Sequence, residues 1–165
     1  MISGTHSNLI DFPIVNDGFF PDLNLKDFQE IMRIKADLAP ELMIRCLMAA
    51  MFYVNKELDD YKDSQVAAAY SKLEDVPQAS LGDGEDEKKE FVFHYETAVY
   101  NYAAGDLHPE LVSISRRDEA SKYMETIKEN RQEYYNDAND SIRRVLGTRK
   151  SKSNSSVSSA LIGDE

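Results

Sequence analysis

A long helical pattern that begins at Pro40 constrains the fold of this chain more than any other segment. Proline is favourable at the first position of a helix, and Glu41 suits the positive end of the helix dipole. The apolar positions that follow are three and four residues apart: Leu42, Cys46, Ala50, Val54, Leu58 and Tyr61. Leu47, Met48 and Met51 widen this stripe, so the helix must contact several neighbours. The pattern predicts the central helix of an all-α domain.

Shorter patterns predict the other helices. Apolar residues from Leu25 onward indicate a first helix with Asp22 or Asn24 as its N-cap. A third helix runs over residues 91–102, with Gly105 as its natural stop. Residues 118–146 form the longest periodic stretch and predict a helix of about seven turns. Gly147 follows its end.

Two further local features complete this outline. Residues 66–70 leave room for one more helical turn. Val76 precedes Pro77 and should therefore be extended.

Length and composition predict one domain with two less regular ends. A chain of 165 residues, 42% of them hydrophobic, can bury a real core. Residues 1–18 predict a flexible N-terminal arm, ordered on a partner or on the body of the domain, and residues 19–147 the helical domain. Residues 148–165 predict a flexible basic and Ser-rich tail. The expected fold is a bundle of four to five helices with an extended arm and a flexible tail.

The charge balance argues against nucleic-acid binding. Thirty acidic and nineteen basic residues give a net charge of −11, so most of the surface should repel DNA. The single cysteine, Cys46, excludes an intramolecular disulfide, and a buried thiol is expected. No signal-peptide pattern and no run of about eighteen apolar residues is present, which predicts a soluble protein.

The residues that could carry catalysis do not converge. His6 lies in the arm, His108 precedes a proline, and His94 follows Glu90 by four residues on one helical face. Glu90 and His94 could form half of a metal site, although an ordinary helical contact is the better interpretation. The sequence contains no Gly-rich phosphate loop, no Gly-x-Ser-x-Gly elbow and no Cys-x-x-Cys pair. We therefore expect no enzyme, no cofactor and no metal.

Two surface features favour protein contacts. Most of the nine tyrosines fall on the last two predicted helices, where they suit a core edge or a protein interface. Positive charges cluster within ten residues: Arg143, Arg144, Arg149, Lys150 and Lys152. The first two suit the C-terminal end of a helix dipole. The others leave open a basic tail that docks on an acidic partner surface.

Several segments together resemble the head-completion proteins of contractile-tailed temperate phages, the GpL-like family. They are Phe19-Phe20-Pro21-Asp22, Ile31-Met32-Arg33, Leu38-Ala39-Pro40, Asn55-Lys56-Glu57-Leu58, Ala69-Tyr70-Ser71-Lys72-Leu73-Glu74-Asp75-Val76-Pro77 and Val92-Phe93-His94-Tyr95-Glu96-Thr97-Ala98-Val99. The resemblance runs from Phe19 to Gly147. It departs at Thr97, where the family pattern leads us to expect arginine, which puts an interface contact there in doubt.

The resemblance implies an adaptor in the neck of the virion, assembled in the host cytoplasm. Such a protein would form a dodecameric ring below the portal, close the DNA-filled capsid and offer a docking surface to a neck or tail-completion protein. Its implied partners are the portal protein and neighbouring copies of itself. Packaged DNA would pass through the channel without specific binding, because an acidic wall repels phosphates.

Two sets of residues are candidates for these contacts. The basic cluster, residues 143–152, is the expected portal-docking tail. The faces of the second and fourth predicted helices are the expected subunit interface, since rings join two different faces. The interface candidates are Leu47, Met48, Met51, Tyr123, Arg131 and Tyr134.

Two alternatives from other classes remain open at this point. One is an acidic all-helical scaffold or regulatory protein of a cell that binds one protein partner. The other, less favoured, is a helical enzyme or metal carrier.

Overall fold

A computed structural model describes residues 9–34, 38–84, 87–115 and 120–147, with the side chains of residues 110–127 outside this description. In these ranges the chain forms five α-helices and two small antiparallel sheets. In chain order the elements are β1 (Pro13–Ile14), β2 (Leu23–Asn24), α1 (Leu25–Ile31), α2 (Pro40–Glu57), α3 (Asp59–Ala67), a 3-10 turn (Leu73–Asp75), β3 (Ser80–Leu81), β4 (Lys88–Lys89), α4 (Glu90–Ser115) and α5 (Ala120–Val145).

The all-α expectation is right for most of this fold, but it missed the two sheets. Strand β1 pairs with β2, with Ile14 opposite Leu23. Strand β3 pairs with β4, with Leu81 opposite Lys88. Each strand has only two residues, which is too short for the apolar–polar alternation that reveals a strand in a sequence.

The residues 9–18 lie on the body of the domain. Ile14 is buried in the core, and the amide of Ile10 donates to Oε1 of Gln29 at 3.0 Å. The sequence left open whether this segment orders on a partner or on the domain itself, and the structure places this part on the domain. Residues 1–8 and the tail, residues 148–165, lie outside the described residues.

The start of α1 is fixed by Asn24 and not by Asp22. The Asn24 side chain accepts a hydrogen bond from the Lys26 amide at 2.9 Å, as an N-cap does. Asp22 instead accepts from the amide of Asn16 at 2.7 Å. It therefore holds the segment that precedes the helix.

The central helix is shorter than predicted because Leu58 interrupts it. Helix α2 ends at Glu57, and α3 begins at Asp59. Leu58 between them has a φ of −104° and a ψ of 9° and is fully buried, so the break keeps an apolar side chain in the core. The predicted residues 66–70 contribute only Val66 and Ala67 to α3, which ends there.

The buried face of α2 is also rotated relative to the predicted stripe. Its buried residues are Met43, Leu47, Ala50, Met51 and Val54. Leu42 and Cys46 are only half-buried at the edge of this face. The apolar residues of α2 form a stripe wider than the core needs. The elements packed against the helix determine which part of that stripe is buried.

The prediction that Gly105 ends the third helix is wrong. Helix α4 continues through Gly105 and Pro109 to Ser115. A β-carbon at position 105 would lie 2.7 Å from Cε1 of Tyr135 on α5. Glycine is therefore required for the close approach of two helices and not for a turn.

Helix α5 ends as the sequence predicted. Gly147 has a φ of 68°, and its amide donates to the Arg144 carbonyl at 3.2 Å. The predicted start at Asp118 lies outside the described residues. Among the described side chains of α5, residues 128–145, the buried apolar residues are Ala138, Ile142 and Val145, near the end of the helix. No described helix is long and apolar enough to cross a membrane.

We expect Gly105→Ala to destabilise the fold, although alanine normally favours a helix by about 1 kcal/mol over glycine. The new methyl group would collide with a tyrosine ring that is anchored by neighbouring side chains. The free energy of unfolding in urea should fall by about 1–3 kcal/mol. Adding Tyr135→Leu to this variant should restore part of the loss. A gain in stability from Gly105→Ala alone would contradict the close approach.

Candidate functional site

The described residues contain no cluster of three or more His, Cys, Asp or Glu side chains that could hold a metal ion. The two described histidines lie apart. His94 contacts the Phe93 ring, with centroids 5.4 Å apart, and His108 contacts the Tyr134 ring at 5.8 Å. Burial lowers the pKa of both, with Arg144 adding to the effect on His94 and Arg131 to that on His108. The surfaces of the described residues and the contacts beneath them offer other candidates.

Three side chains close a triangle of hydrogen bonds at the N-terminal segment, residues 9–18. Asn16 Nδ2 donates to the Tyr95 hydroxyl at 2.8 Å, and this hydroxyl donates to Asn55 Oδ1 at 2.6 Å. Asn55 Nδ2 completes the triangle by donating to Asn16 Oδ1 at 2.8 Å. The triangle joins the N-terminal segment to α2 and α4.

The Phe19-Phe20 motif packs directly against this triangle. The Phe20 ring stacks on Tyr95, with centroids 4.8 Å apart and planes 6° from parallel. Phe19 and Phe20 are both buried, and the Phe19 carbonyl accepts from the amide of Leu73 at 2.9 Å. Burial raises the pKa of the Tyr95 hydroxyl well above its usual range. The hydroxyl is therefore a neutral donor and acceptor at every physiological pH.

Asp17 connects the same segment to α3. Its Oδ1 accepts from the amides of Phe19 and Phe20, both at 3.0 Å, and its Oδ2 lies 2.8 Å from Lys62 Nζ. Burial works to raise the pKa of Asp17, but the Lys62 ammonium and the two amides outweigh it and lower the pKa below its ordinary value. The turn before the Phe pair is thus fixed by one carboxylate.

An open apolar groove lies between this N-terminal segment and α2. It has a volume of about 220 Å³ and is lined by Ile14, Val15, Asn16, Asp17, Met48, Met51, Phe52 and Asn55. Val15 is 79% exposed, Phe52 72% and Met48 44%. Three large apolar side chains exposed side by side are typical of a protein contact. We call this surface the Val15/Phe52 groove.

The interface candidates on α2 have different environments. Leu47 is fully buried and Met51 is 5% exposed, so both pack within the core of their own chain. Met48 is exposed in the groove. Sequence reasoning missed Val15 and Phe52. Phe52 follows Met48 by one helical turn. Because the apolar face of this helix is already too wide for one neighbour, this spacing could have indicated an exposed apolar pair.

Arg131 interrupts the apolar stripe of α5 because it lies at the edge of the contact with α4. Its Nε donates to the Tyr135 hydroxyl at 2.9 Å, and Asp106 Oδ1 accepts from that hydroxyl at 2.7 Å. The guanidinium also lies 3.6 Å from Asp106. Burial and the Asp106 carboxylate raise the pKa of Tyr135 to about 12. Arg131 thus has partners within its own chain while remaining partly exposed.

The remaining candidates divide between described and undescribed residues. Tyr134 is half-buried beside His108, whereas the side chain of Tyr123 is outside the description. Arg143 pairs with Asp140 at 3.0 Å, and Arg144 is exposed. Arg149, Lys150 and Lys152 lie outside the described residues. Thr97, where the resemblance leads us to expect arginine, donates to the carbonyl of Phe93 at 2.7 Å.

The described features define a small, mainly helical domain with an apolar groove, a polar helix edge and strong negative charge. Comparison with known proteins specifies this class. The model of the phage head completion protein (GPL) family matches residues 14–155. The chain therefore belongs to the phage head completion protein family, and the resemblance seen in the sequence is confirmed.

Two curated relatives carry corresponding names. The chain is 30% identical over 138 residues, 83% of its length and 79% of the relative, to the head completion/stabilization protein of Escherichia phage P2. It is 26% identical over 118 residues, 72% of its length and 76% of the relative, to the probable head completion/stabilization protein of Haemophilus phage HP1. No solved structure matches the chain. These matches assign this protein a role in completing the phage head.

We expect Tyr95→Phe to destabilise the fold by about 1–3 kcal/mol, because Asn55 Oδ1 loses its donor and Asn16 Nδ2 keeps only the Pro21 carbonyl as a partner. Urea unfolding measures the loss. Tyr53→Phe is the matched control, since the half-buried Tyr53 ring stacks on Tyr102 at 4.3 Å and phenylalanine keeps that contact. Combining Tyr95→Phe with Asn55→Ala should cost less than the sum of the two single changes. Additive losses would contradict a closed triangle.

The Asp17–Lys62 pair predicts a pH-dependent contribution to stability. Because the folded-state pKa of Asp17 lies below its ordinary value of 3.8, the ionised group stabilises the fold above that pH. The stabilisation is lost as the pH falls through the folded-state pKa. Asp17→Asn should therefore cost about 1 kcal/mol at neutral pH, and the difference from wild type should vanish in acid. Asp83→Asn, in an exposed loop, is the control.

Urea unfolding of wild type and both variants across the acid range tests this prediction. A difference between wild type and Asp17→Asn that is the same at every pH would show that charge does not matter at this position.

Proposed function

We propose that this protein forms a ring below the portal of a DNA-filled phage head, closes the head and offers a docking surface to a neck or tail component. The observation that carries the proposal is membership of the head completion family over residues 14–155. A ring that continues the portal channel would place this protein in the neck of the virion. Ring symmetry requires that one face of each copy meets a different face of its neighbour.

The charge of the chain supports a channel that does not hold DNA. The net charge is −11, and α3 and α5 present exposed carboxylates along their surfaces: Asp59, Asp60, Asp63, Glu129, Glu133 and Asp137. A wall with this charge repels the phosphate backbone and neither binds packaged DNA nor slows its exit.

Two surfaces are proposed for the contact between neighbouring copies. The first is the Val15/Phe52 groove, which includes Met48 and Met51 from the sequence candidates. The second is the edge of α5, where Arg131 and Tyr134 are partly exposed and Tyr123 lies on the same helix. Arginine and tyrosine often dominate the energetics of protein interfaces. Met51 also lines the first surface although it is only 5% exposed, whereas Leu47 is fully buried in the core and does not lie on it.

The basic tail is the proposed contact with the portal. Arg149, Lys150 and Lys152 follow the end of α5, and they carry positive charge away from an otherwise acidic domain. Arg143 and Arg144 lie in the last turn of α5, where the helix dipole already favours cations. The proposed docking role therefore belongs mainly to the three residues after Gly147.

Replacing Arg149, Lys150 and Lys152 with glutamine in the 165-residue chain should weaken binding to isolated portal rings. Three lost charge contacts of about 0.5 kcal/mol each lower the affinity about tenfold at physiological salt. The measurement is co-sedimentation with portal rings, followed by electron microscopy of the complexes. The matched control replaces Lys26, Lys72 and Lys128, which are exposed elsewhere, with glutamine and changes the charge equally.

The possible outcomes distinguish the portal contact of the tail from the proposed function as a whole. Equal losses in both variants would mean that only the net charge matters, and full binding by the tail variant would assign the portal contact to another surface. If the wild-type protein ignores portal rings and does not prevent DNA loss from filled heads, the proposed function itself is wrong.

A further inference from the structure

The Val15/Phe52 groove is apolar, open and continuous with an acidic surface. Its mouth is formed by Val15 and Phe52, the two most exposed large apolar side chains of the N-terminal segment and α2. We propose that the end of the C-terminal tail, residues 157–162, docks in this groove of its own domain before the protein joins the head. The basic residues of the tail would then cross the first turns of α3.

The acidic surface beside the groove is built around Lys62. Asp17 lines the groove and pairs with Lys62 at 2.8 Å. The carboxylates of Asp59 and Asp63 help to raise the pKa of Lys62. Three carboxylates around one ammonium group leave an excess of negative charge at this end of the groove. Arg149, Lys150 and Lys152 have the complementary charge.

The order of features along the tail matches the order of features on the surface. The tail follows the end of α5, where the positive charge of Arg144 helps to lower the pKa of His94 near the start of α4. Phe91 in the same turn of α4 contacts Tyr61 of α3, with ring centroids 6.4 Å apart. A chain that leaves Gly147 toward the groove therefore passes α3 first. Its basic residues precede its apolar ones, as this path requires.

The apolar end of the tail suits the groove in composition and size. Val157, Leu161 and Ile162 are the only large apolar residues after Gly147, in a segment otherwise rich in serine. A groove of about 220 Å³ can accept two or three aliphatic side chains but not a folded domain. The three exposed apolar side chains at its mouth would lose contact with water.

Tethering favours the chain's own groove over that of another copy. The ten or so residues between Gly147 and Val157 span about 16–19 Å on average if they behave as a flexible linker. Such a linker gives an effective concentration in the millimolar range, far above the micromolar concentration of free protein. Docking of the tail would cover the groove in the free protein. A surface that binds the basic residues would pull the tail away and expose the groove.

The test uses a nitroxide label on the 165-residue chain at Ser158→Cys, with Cys46→Ala to leave one thiol. Even with millimolar intrinsic affinity the tail would occupy the groove in about half of the molecules. The amide signals of Val15, Met48 and Phe52 should therefore lose about half of their intensity or more. The signal of Asn130, exposed on α5, should keep its intensity. Unchanged groove signals would overturn the proposal.

Matched variants and a mixing experiment identify the occupant. Leu161→Ser with Ile162→Ser, or Phe52→Ser, should restore the groove signals. The controls Ser155→Ala with Ser156→Ala, and Ile31→Ser at another exposed apolar position, should not. When ¹⁴N protein that carries the nitroxide is mixed with ¹⁵N protein that carries none, the ¹⁵N signals should stay unchanged. Broadening in that mixture would assign the groove to the tail of a second copy and overturn docking within one chain. None of these results depends on whether the protein binds a portal.

Discussion

The closed hydrogen-bond triangle of Asn16, Asn55 and Tyr95 is the constraint on which the rest of this structure depends. It joins positions 39, 40 and 79 residues apart in the sequence. Each side chain both donates and accepts, so loss of one member breaks two of the three hydrogen bonds at a site where Tyr95 is fully buried. The triangle holds the N-terminal segment against α2 and α4. That position places Phe19 and Phe20 in the core, directs Asp17 to Lys62 and forms one wall of the Val15/Phe52 groove.

A second polar contact explains how a helix as hydrophilic as α5 stays packed. Among its described side chains, residues 128–145, the buried apolar ones lie in about the last two turns. Further toward its start the contact with α4 depends on a close approach at Gly105, where the Tyr135 ring fills the space that a side chain would need. Arg131 and Asp106 then hold that ring by its hydroxyl. The polar residues that make α5 a weak core helix thus fix its position beside α4, and they leave its outer face charged and exposed.

The sequence predicted those features whose causes lie within about four residues. Asn24, one of the two predicted N-caps, caps α1, Val76 is extended before a proline, and Gly147 ends α5, because each follows from local backbone chemistry. Gly105 was misread because its reason is a ring 30 positions away. The triangle left no local signal for the same reason. On α2 the sequence predicted an apolar face wide enough for several neighbours, but periodicity cannot tell which part of this face the neighbouring elements cover. Leu47 and Met51 are therefore buried, whereas Met48 and Phe52 are exposed.

Charge and exposed apolar surface together limit how copies of this domain can associate. A net charge of −11 makes the copies repel one another, although salt screens this repulsion beyond about 8 Å at physiological ionic strength. The opposing apolar contact that the Val15/Phe52 groove can supply is small, with three exposed side chains at its mouth. Free association in solution should therefore be weak. In the proposed ring, binding of each tail to the portal would concentrate the copies side by side, and this local concentration supplies the association free energy that the groove alone lacks. In that proposed ring the acidic domain and the basic tail would have separate functions: the domain would prevent assembly away from the head, and the tail would permit it at the portal.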